Sequence, residues 1–294
     1  MKNSTSFSLS KHTSAKLLNR IGLGFIWLVA LSLLVVIISL LYFILHKGLS
    51  GLSFKFLVDL PEDMDVGGGI GPFLFNSLYV LVLSLVFSIP IGLFGGIFLS
   101  EYAPDNRFTN LVRISVESLA TVPSIVFGLF GFVLFVEYFD IGLTIVGASI
   151  TLAFLNLPIL TRITEEAVSA VPFELREASY ALGGTQSRTI LTVLLPAALN
   201  GIMTGISLVA CRAFGESAII LLAGGSSSSG FMWDFNLLSQ GGTLPVHLWY
   251  IQSEALVEDA KQIADRSAAV LIIVVLLISL LLRIPLFLQR SKHK

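Results

Sequence analysis

Cysteine and charge are both scarce in this sequence, and each scarcity excludes something. The single cysteine, Cys211, lies inside an apolar run, so an internal disulfide and a cysteine-rich metal site are ruled out. Only 13% of the 294 residues are charged and the formal net charge is −1, which removes the electrostatic basis for binding nucleic acid or another polyanion. His12, His46, His247 and His293 are scattered without the spacing of metal ligands. Gly67-Gly68-Gly69-Ile70-Gly71 lacks the Gly-Lys-Ser/Thr of a phosphate-cradling P-loop and reads as a flexible entry to an apolar run. Asp59, Glu62, Asp63 and Asp65 lack the other features of a calcium loop and read as a solvated acidic segment. No zinc motif, serine-nucleophile elbow or pair of intramembrane aspartates appears, which argues against a membrane-embedded enzyme.

What is plentiful is apolar surface. Hydrophobic residues make up 55% of the chain and the mean hydropathy is +0.89, values of an integral membrane protein. A bilayer core takes about 20 apolar residues in helix, and six runs qualify, at about 23–45, 73–100, 118–136, 141–161, 196–223 and 267–288. The first follows a polar tail, 1–20, and has no small-residue cleavage pattern behind it, so it reads as a retained span rather than a signal peptide. Pro90 and Pro158 interrupt the second and fourth spans and are expected to kink them. The last run reaches Arg283 after residues 267–282, and that side chain can snorkel to the interface. Trp233, Trp249 and Tyr250 read as interface anchors, and Ser226 to Ser229 as a flexible polar linker.

Lysine and arginine set the expected orientation. With the N-terminus inside, Lys2, Lys11, Lys16, Arg20, Arg107, Arg113, Arg162, Arg176, Arg188, Arg283, Arg290, Lys292 and Lys294 are cytoplasmic, against only Lys47, Lys55, Lys261 and Arg266 outside. Both termini and the loop 162–195 are then cytoplasmic. That loop holds ELREASYALGG. Pro172 suits the first position of a helix, Glu174 complements its positive end, and Gly183 with Gly184 stops it. Leu175, Ala178 and Leu182 form one narrow apolar stripe, with Glu174, Arg176 and Glu177 around it. Such a helix either lies on the lipid headgroups or docks a cytoplasmic partner. Arg162, Glu165 and Glu166 nearby read as a solvated patch.

One span carries charge. Arg212 and Glu216 stand four residues apart in the fifth run and therefore on one helical face, with Arg212 about 24 Å along it from Pro196. A charge near the bilayer centre costs about 2.5–3.5 kcal/mol on insertion scales, so the pair is expected to form a salt bridge or line a polar path. A guanidinium offers the donor geometry that a tetrahedral oxyanion needs, and Glu216 would neutralise it between substrates. Gly201 and Gly205 add a small-xxx-small spacing that invites close helix packing. Asn76, Ser77, Ser84, Ser88 and Ser124 are expected to bond to backbone or across helices rather than to substrate.

The loop resembles the signature of permease subunits of bacterial ABC importers. Glu177-Ala178-Ser179, then Gly183, then nine residues from Gly184 to Thr192, then Val193-Leu194-Leu195-Pro196, follow the pattern E-A-A, Gly, I-x-L-P, with Ser and Val as the departures. Across most of the chain GGGIGPFLFNSLYV, FLSEYAPDNR, TVPSIVFGLFG, VPFELREASYALGGT, LPAALNGIMTGISLVACRAFGESA and TLPVHLWYI are similar to the A-type (PstA) permeases of phosphate-specific importers. The C-type permease is a related chain, and TLPVHLWYI with the short N-terminal extension favours the A type.

The resemblance implies an all-α membrane protein with the type I importer permease fold, in a single domain of six transmembrane helices. A cytoplasmic coupling helix would stand between spans four and five, in a bacterial cytoplasmic membrane. It implies half of a translocation path, with Arg212 and Glu216 at charged positions of phosphate permeases. Glu174, Arg176, Glu177, Ala178, Gly183, Leu195 and Pro196 would belong to the segment that meets the ATPase. The chain itself would bind no cofactor, with ATP and Mg on two copies of a cytoplasmic ATPase. A PstC-type second permease and an extracytoplasmic phosphate-binding protein would complete the assembly. Two alternatives stay open: a permease for another oxyanion, or an ion-coupled carrier using the Arg/Glu pair. No inverted repeat in hydropathy favours the carrier.

Overall fold

The computed structural model describes residues 5–62, 67–253 and 258–292; Asp63, Asp65 and His293, and the side chain of His12, lie outside the described residues. Among the described residues the chain is helical throughout, with isolated bridges at Pro61–Gly68 and Ser228–Gly241 in place of strands.

Helix α1, Thr5–Leu49, is apolar on all sides over residues 21–45, and among the described residues it packs near its end, where Gly48 lies against Asp265 and Ala269. It starts well inside the expected polar tail, because no glycine or proline occurs between Thr5 and Ile21 to stop it. Helix α2, Phe54–Val58, is capped by Ser53, whose Oγ accepts from the Phe56 N–H at 3.2 Å. Helix α3, Gly71–Ile97, runs through Pro90 and ends in a wide π-helical turn, Phe98–Tyr102. Asn106 caps α4, Arg107–Ala120, accepting from the Thr109 N–H at 2.8 Å.

Helix α5, Ser124–Gly131, continues as a π-helical segment Phe132–Tyr138 and bends from α4 by 94°. The third expected span, 118–136, is therefore broken. Pro123 has no N–H to donate and pushes Val122 out of helical conformation, which ends α4 before the apolar run is used up. Helix α6, Ile145–Ser169, passes Pro158 and carries Arg162, Glu165 and Glu166 in its last turns, so the first part of the expected loop is helix.

After α6 come α7, Phe173–Ala181, and the short α8, Gln186–Thr189. A π-helical turn, Ile190–Leu194, leads into α9, Leu195–Phe214. The fifth expected span is interrupted: α9 stops at Gly215, and a separate α10 occupies Ala218–Ala223. Helix α11, Leu244–Ser253, and α12, Ala260–Lys292, complete the chain. Five of these segments are long and apolar enough to cross a membrane, or six if the bent α4–α5 pair is one span.

Close packing centres on α3 and α6. Ser84, Ser88, Gly92 and Gly96 recur every four residues on the buried side of α3. Gly92 meets Leu160, and Gly96 meets Thr161 and Thr164, so small residues let the two backbones approach. Gly205 and Gly201 of α9 do the same against Ile163 and Ala167 of α6. Leu152, Leu155, Ala210, Phe214 and Ile220 fill the core between them. Asn76 Nδ2 donates to the Gly242 carbonyl at 3.1 Å, and Ser77 Oγ accepts from the Leu244 N–H at 2.8 Å, pinning the segment before α11. Ser228 bridges Gly241, and the Gly242 N–H donates to the Ser227 carbonyl at 3.0 Å, so the serine run is tied down rather than a free linker.

Candidate functional site

Two regions hold the residues expected to act. The first is α7. Pro172 stands just before it as the cap, and helix begins at Phe173. Gly183 has φ of +81°, the left-handed region open to glycine, and its N–H donates to the Tyr180 carbonyl at 2.9 Å. The Gly184 N–H donates to the Ser179 carbonyl at 3.0 Å, and Ser179 Oγ lies 2.7 Å from Thr189 Oγ1, joining α7 to α8. Pro196 falls where the π-helical turn passes into α9 in a continuous helix, so the widened turn accommodates its ring and missing N–H, and Leu195 beside it is half-buried against the core.

No residue of α7 is buried. Leu182 is 90% exposed, and with Leu175, Ala178, Arg188 and Thr192 it lines an open cleft of about 450 Å³. Among the described residues the apolar stripe thus has no cover from its own chain. Glu174 and Glu177 are exposed and, among the described residues, have no ion-pair partner. Arg176 differs from both. Its guanidinium turns inward, donating to the Val171 carbonyl at 2.6 Å, the Val168 carbonyl at 3.0 Å and Glu101 Oε1 at 2.9 Å.

A second ion pair lies next to it. Arg113 Nε donates to Glu165 Oε1 at 2.6 Å while its Nη2 donates to the Leu99 carbonyl at 2.9 Å. Arg162 reaches Glu165 Oε2 at 3.6 Å and Glu166 Oε1 at 2.8 Å. The patch expected to be solvated is solvated at Glu166 and in part at Arg162; the Glu165 side chain is 7% exposed because α3, α4 and α6 converge over it. Glu101 was missed in the sequence. Its one signal there is a carboxylate in the last turn of a long apolar run.

The second region is the break between α9 and α10. Arg212 lies in the last turn of α9, where a cation complements the negative end of the helix. Gly215 ends that helix, and Glu216 Oε1 accepts from the Ala218 N–H at 3.1 Å at the start of α10. The two charges are therefore not on one continuous helical face. Among the described residues they form no salt bridge with each other; Arg212 is exposed and Glu216 half-buried. Such an arrangement leaves a guanidinium with its donors available beside a fixed carboxylate. No cluster that could hold a metal ion occurs among the described residues.

Comparison with known proteins agrees with this architecture. Residues 88–291 match the family model described as binding-protein-dependent transport system inner membrane component. The chain is 37% identical over 278 residues to a probable ABC transporter permease protein, YqgI, of Bacillus subtilis, covering 91% of this chain and 95% of that one. It is 31% identical over 258 residues to the phosphate transport system permease protein PstA of Yersinia pestis, covering 87% and 85%. Among solved structures, an inward-facing MetNI methionine ABC transporter matches with a TM-score of 0.57 at 24% identity, over 72% of this chain and 91% of that one, a likeness of fold alone. With the helical architecture, the open α7 and these matches together, the chain belongs to the binding-protein-dependent transport system inner membrane component family, as a multi-pass ABC importer permease subunit.

Proposed function

We propose that this chain is the A-type permease of an ATP-driven importer of inorganic phosphate. The observation that carries the substrate is Arg212, a guanidinium without an ion-pair partner among the described residues, four positions from a carboxylate held by backbone. Arginine presents several donors in a plane and suits a tetrahedral oxyanion, whereas a neutral or cationic solute gains nothing from it. The likeness to PstA of Yersinia pestis supports the same substrate. Glu216 limits how tightly the anion is held, since its negative charge, held by the Ala218 N–H four positions from Arg212, opposes the binding of an oxyanion.

In this reading α7 lies on the cytoplasmic side, as the excess of basic residues there favours, and both termini share that side. Its uncovered stripe of Leu175, Ala178 and Leu182 enters a cleft of the ATPase, with Glu174 and Glu177 at the rim and Gly183 turning the chain back. Hydrolysis and its ATP and Mg belong to two copies of that ATPase, so this subunit is non-catalytic. A PstC-type permease supplies the other half of the path, and an extracytoplasmic binding protein delivers phosphate.

The test is phosphate uptake into vesicles carrying the chain with its own partner permease, ATPase and binding protein. Arg212→Gln should abolish uptake in an assembled complex, and Glu177→Arg should lose both uptake and the copurifying ATPase. Normal uptake by Arg212→Gln would refute the role of the arginine. Uptake of sulfate in place of phosphate would reassign the substrate, and uptake without the ATPase would make the chain an ion-coupled carrier.

A further inference from the structure

We propose that Glu101 is a positioning residue for transport, and that the Glu101–Arg176 ion pair is the joint through which movement of α7 reaches the membrane helices. The proposal rests on the reading of α7 as the ATPase-contacting helix.

Three observations carry it. First, α7 buries no residue, so packing does not hold it to the rest of the chain. Its ties are polar and few. Arg176 makes the ones that reach beyond the loop itself, with a side chain only 12% exposed against a Glu101 side chain 7% exposed. An ion pair so withdrawn from water resists opening, because separation would leave a buried carboxylate unpaired.

Second, the far side of the joint is also stitched together. Gln186 Nε2 donates to the Glu101 carbonyl at 2.7 Å, Ser100 Oγ donates to Glu101 Oε1 at 3.2 Å, and Ser100 Oγ lies 3.0 Å from Ser169 Oγ. Ser100 and Glu101 sit on the π-helical turn Phe98–Tyr102, where the Ala103 N–H donates to the Phe98 carbonyl at 2.8 Å, while Ser169 ends α6 and Gln186 begins α8. That turn is continuous with α3. Third, α3 is keyed to α6 through Gly92 and Gly96, so a push on the turn moves two spans together. The route from α7 to the core therefore runs from Arg176 to Glu101 to α3 and α6.

The experiment uses the complete complex, with cognate permease, ATPase and binding protein, in liposomes. It measures phosphate imported per ATP hydrolysed for wild type, Glu101→Gln, Arg176→Gln and the double variant. This ratio counts only assembled complexes, so lower yield does not move it. Glu101→Gln should keep hydrolysing ATP while the ratio falls about tenfold, the scale of one charge-assisted hydrogen bond. Arg176→Gln should fall similarly, and the double variant should be no worse than either single one, because both remove the same contact. An unchanged ratio in Glu101→Gln, or losses that multiply in the double variant, would overturn the joint.

A second measurement needs no substrate. In a Cys211→Ser background, spin labels at Phe94→Cys and Ala181→Cys report the distance from α3 to α7 with and without ATP and vanadate. One narrow distance in both states, broadened by Glu101→Gln, is expected; a narrow distance that survives Glu101→Gln overturns the proposal even where that variant assembles poorly. If the wild-type complex imports no phosphate, the substrate reading fails, and the label distances still decide the joint.

Discussion

Arg113 on α4 and Glu165 on α6 meet at 2.6 Å, and the Glu165 carboxylate, which Arg113 shares with Arg162, is nearly closed to water. The two arginines are not equivalent. Arg113 is the closer and less exposed, and it also holds the Leu99 carbonyl, whereas Arg162 stands 3.6 Å away. Replacing Arg113 with Ala should cost about 2 kcal/mol, the worth of hydrogen bonds to a charged group that loses its partner. Arg162→Ala should cost less than about 1 kcal/mol, as for an exposed pair. Unfolding midpoints of the detergent-solubilised protein measure both, and equal losses would contradict the geometry.

Glycines 95 and 96 are neighbours with opposite expectations. A Cβ on Gly96 would stand 2.5 Å from Thr164 Cβ and 2.6 Å from the Thr161 carbonyl oxygen, so backbone would have to move. A Cβ on Gly95 meets only the Thr161 side chain, at 3.4 Å. Gly96→Ala should destabilise by about 2 kcal/mol through overpacking. Gly95→Ala should be neutral, or gain up to about 1 kcal/mol from helix propensity. Thermal unfolding of the two variants in parallel tests this, and a Gly96→Ala protein as stable as wild type would deny the close approach of α3 and α6.

His247 provides a pH dependence with a definite sign. It is buried on α11 and stacked on Phe73 with centroids 4.0 Å apart, and burial pushes its imidazole from 6.5 down to about 4. Between those values the unfolded chain binds a proton that the folded chain refuses. Stability from this group is therefore complete above about pH 6.5 and drains away as pH falls toward 4. The full effect is about 3 kcal/mol, at 1.36 kcal/mol per pKa unit. Melting temperatures between pH 7.5 and pH 5 should fall in wild type and flatten in His247→Phe; parallel slopes would show that another group governs the acid limb.

Much of the site was legible because it is local. The stop at Gly183 and the stripe of Leu175, Ala178 and Leu182 depend on neighbours within a few positions. Glu165 was misjudged, since its spacing to Arg162 is visible along one helix but Arg113, which helps cover it, lies 52 positions away. Arg176 reads on paper as one more charge around the stripe, and only the fold turns it toward Glu101, 75 positions distant.

Composition and periodicity alone determined that this chain crosses a membrane several times and carries a short amphipathic helix before α9, because hydropathy and helix-ending residues act over one or two turns. The breaks at Pro123 and Gly215 were signalled by residue type, yet an apolar run can absorb a proline or glycine when neighbours satisfy its backbone, as α3 does at Pro90. Which of these residues divides a span, which carboxylate is buried, and whether Arg212 and Glu216 share a face were decided by tertiary packing. Each depends on what another helix places beside the residue, and that is set by contacts between segments far apart in the chain.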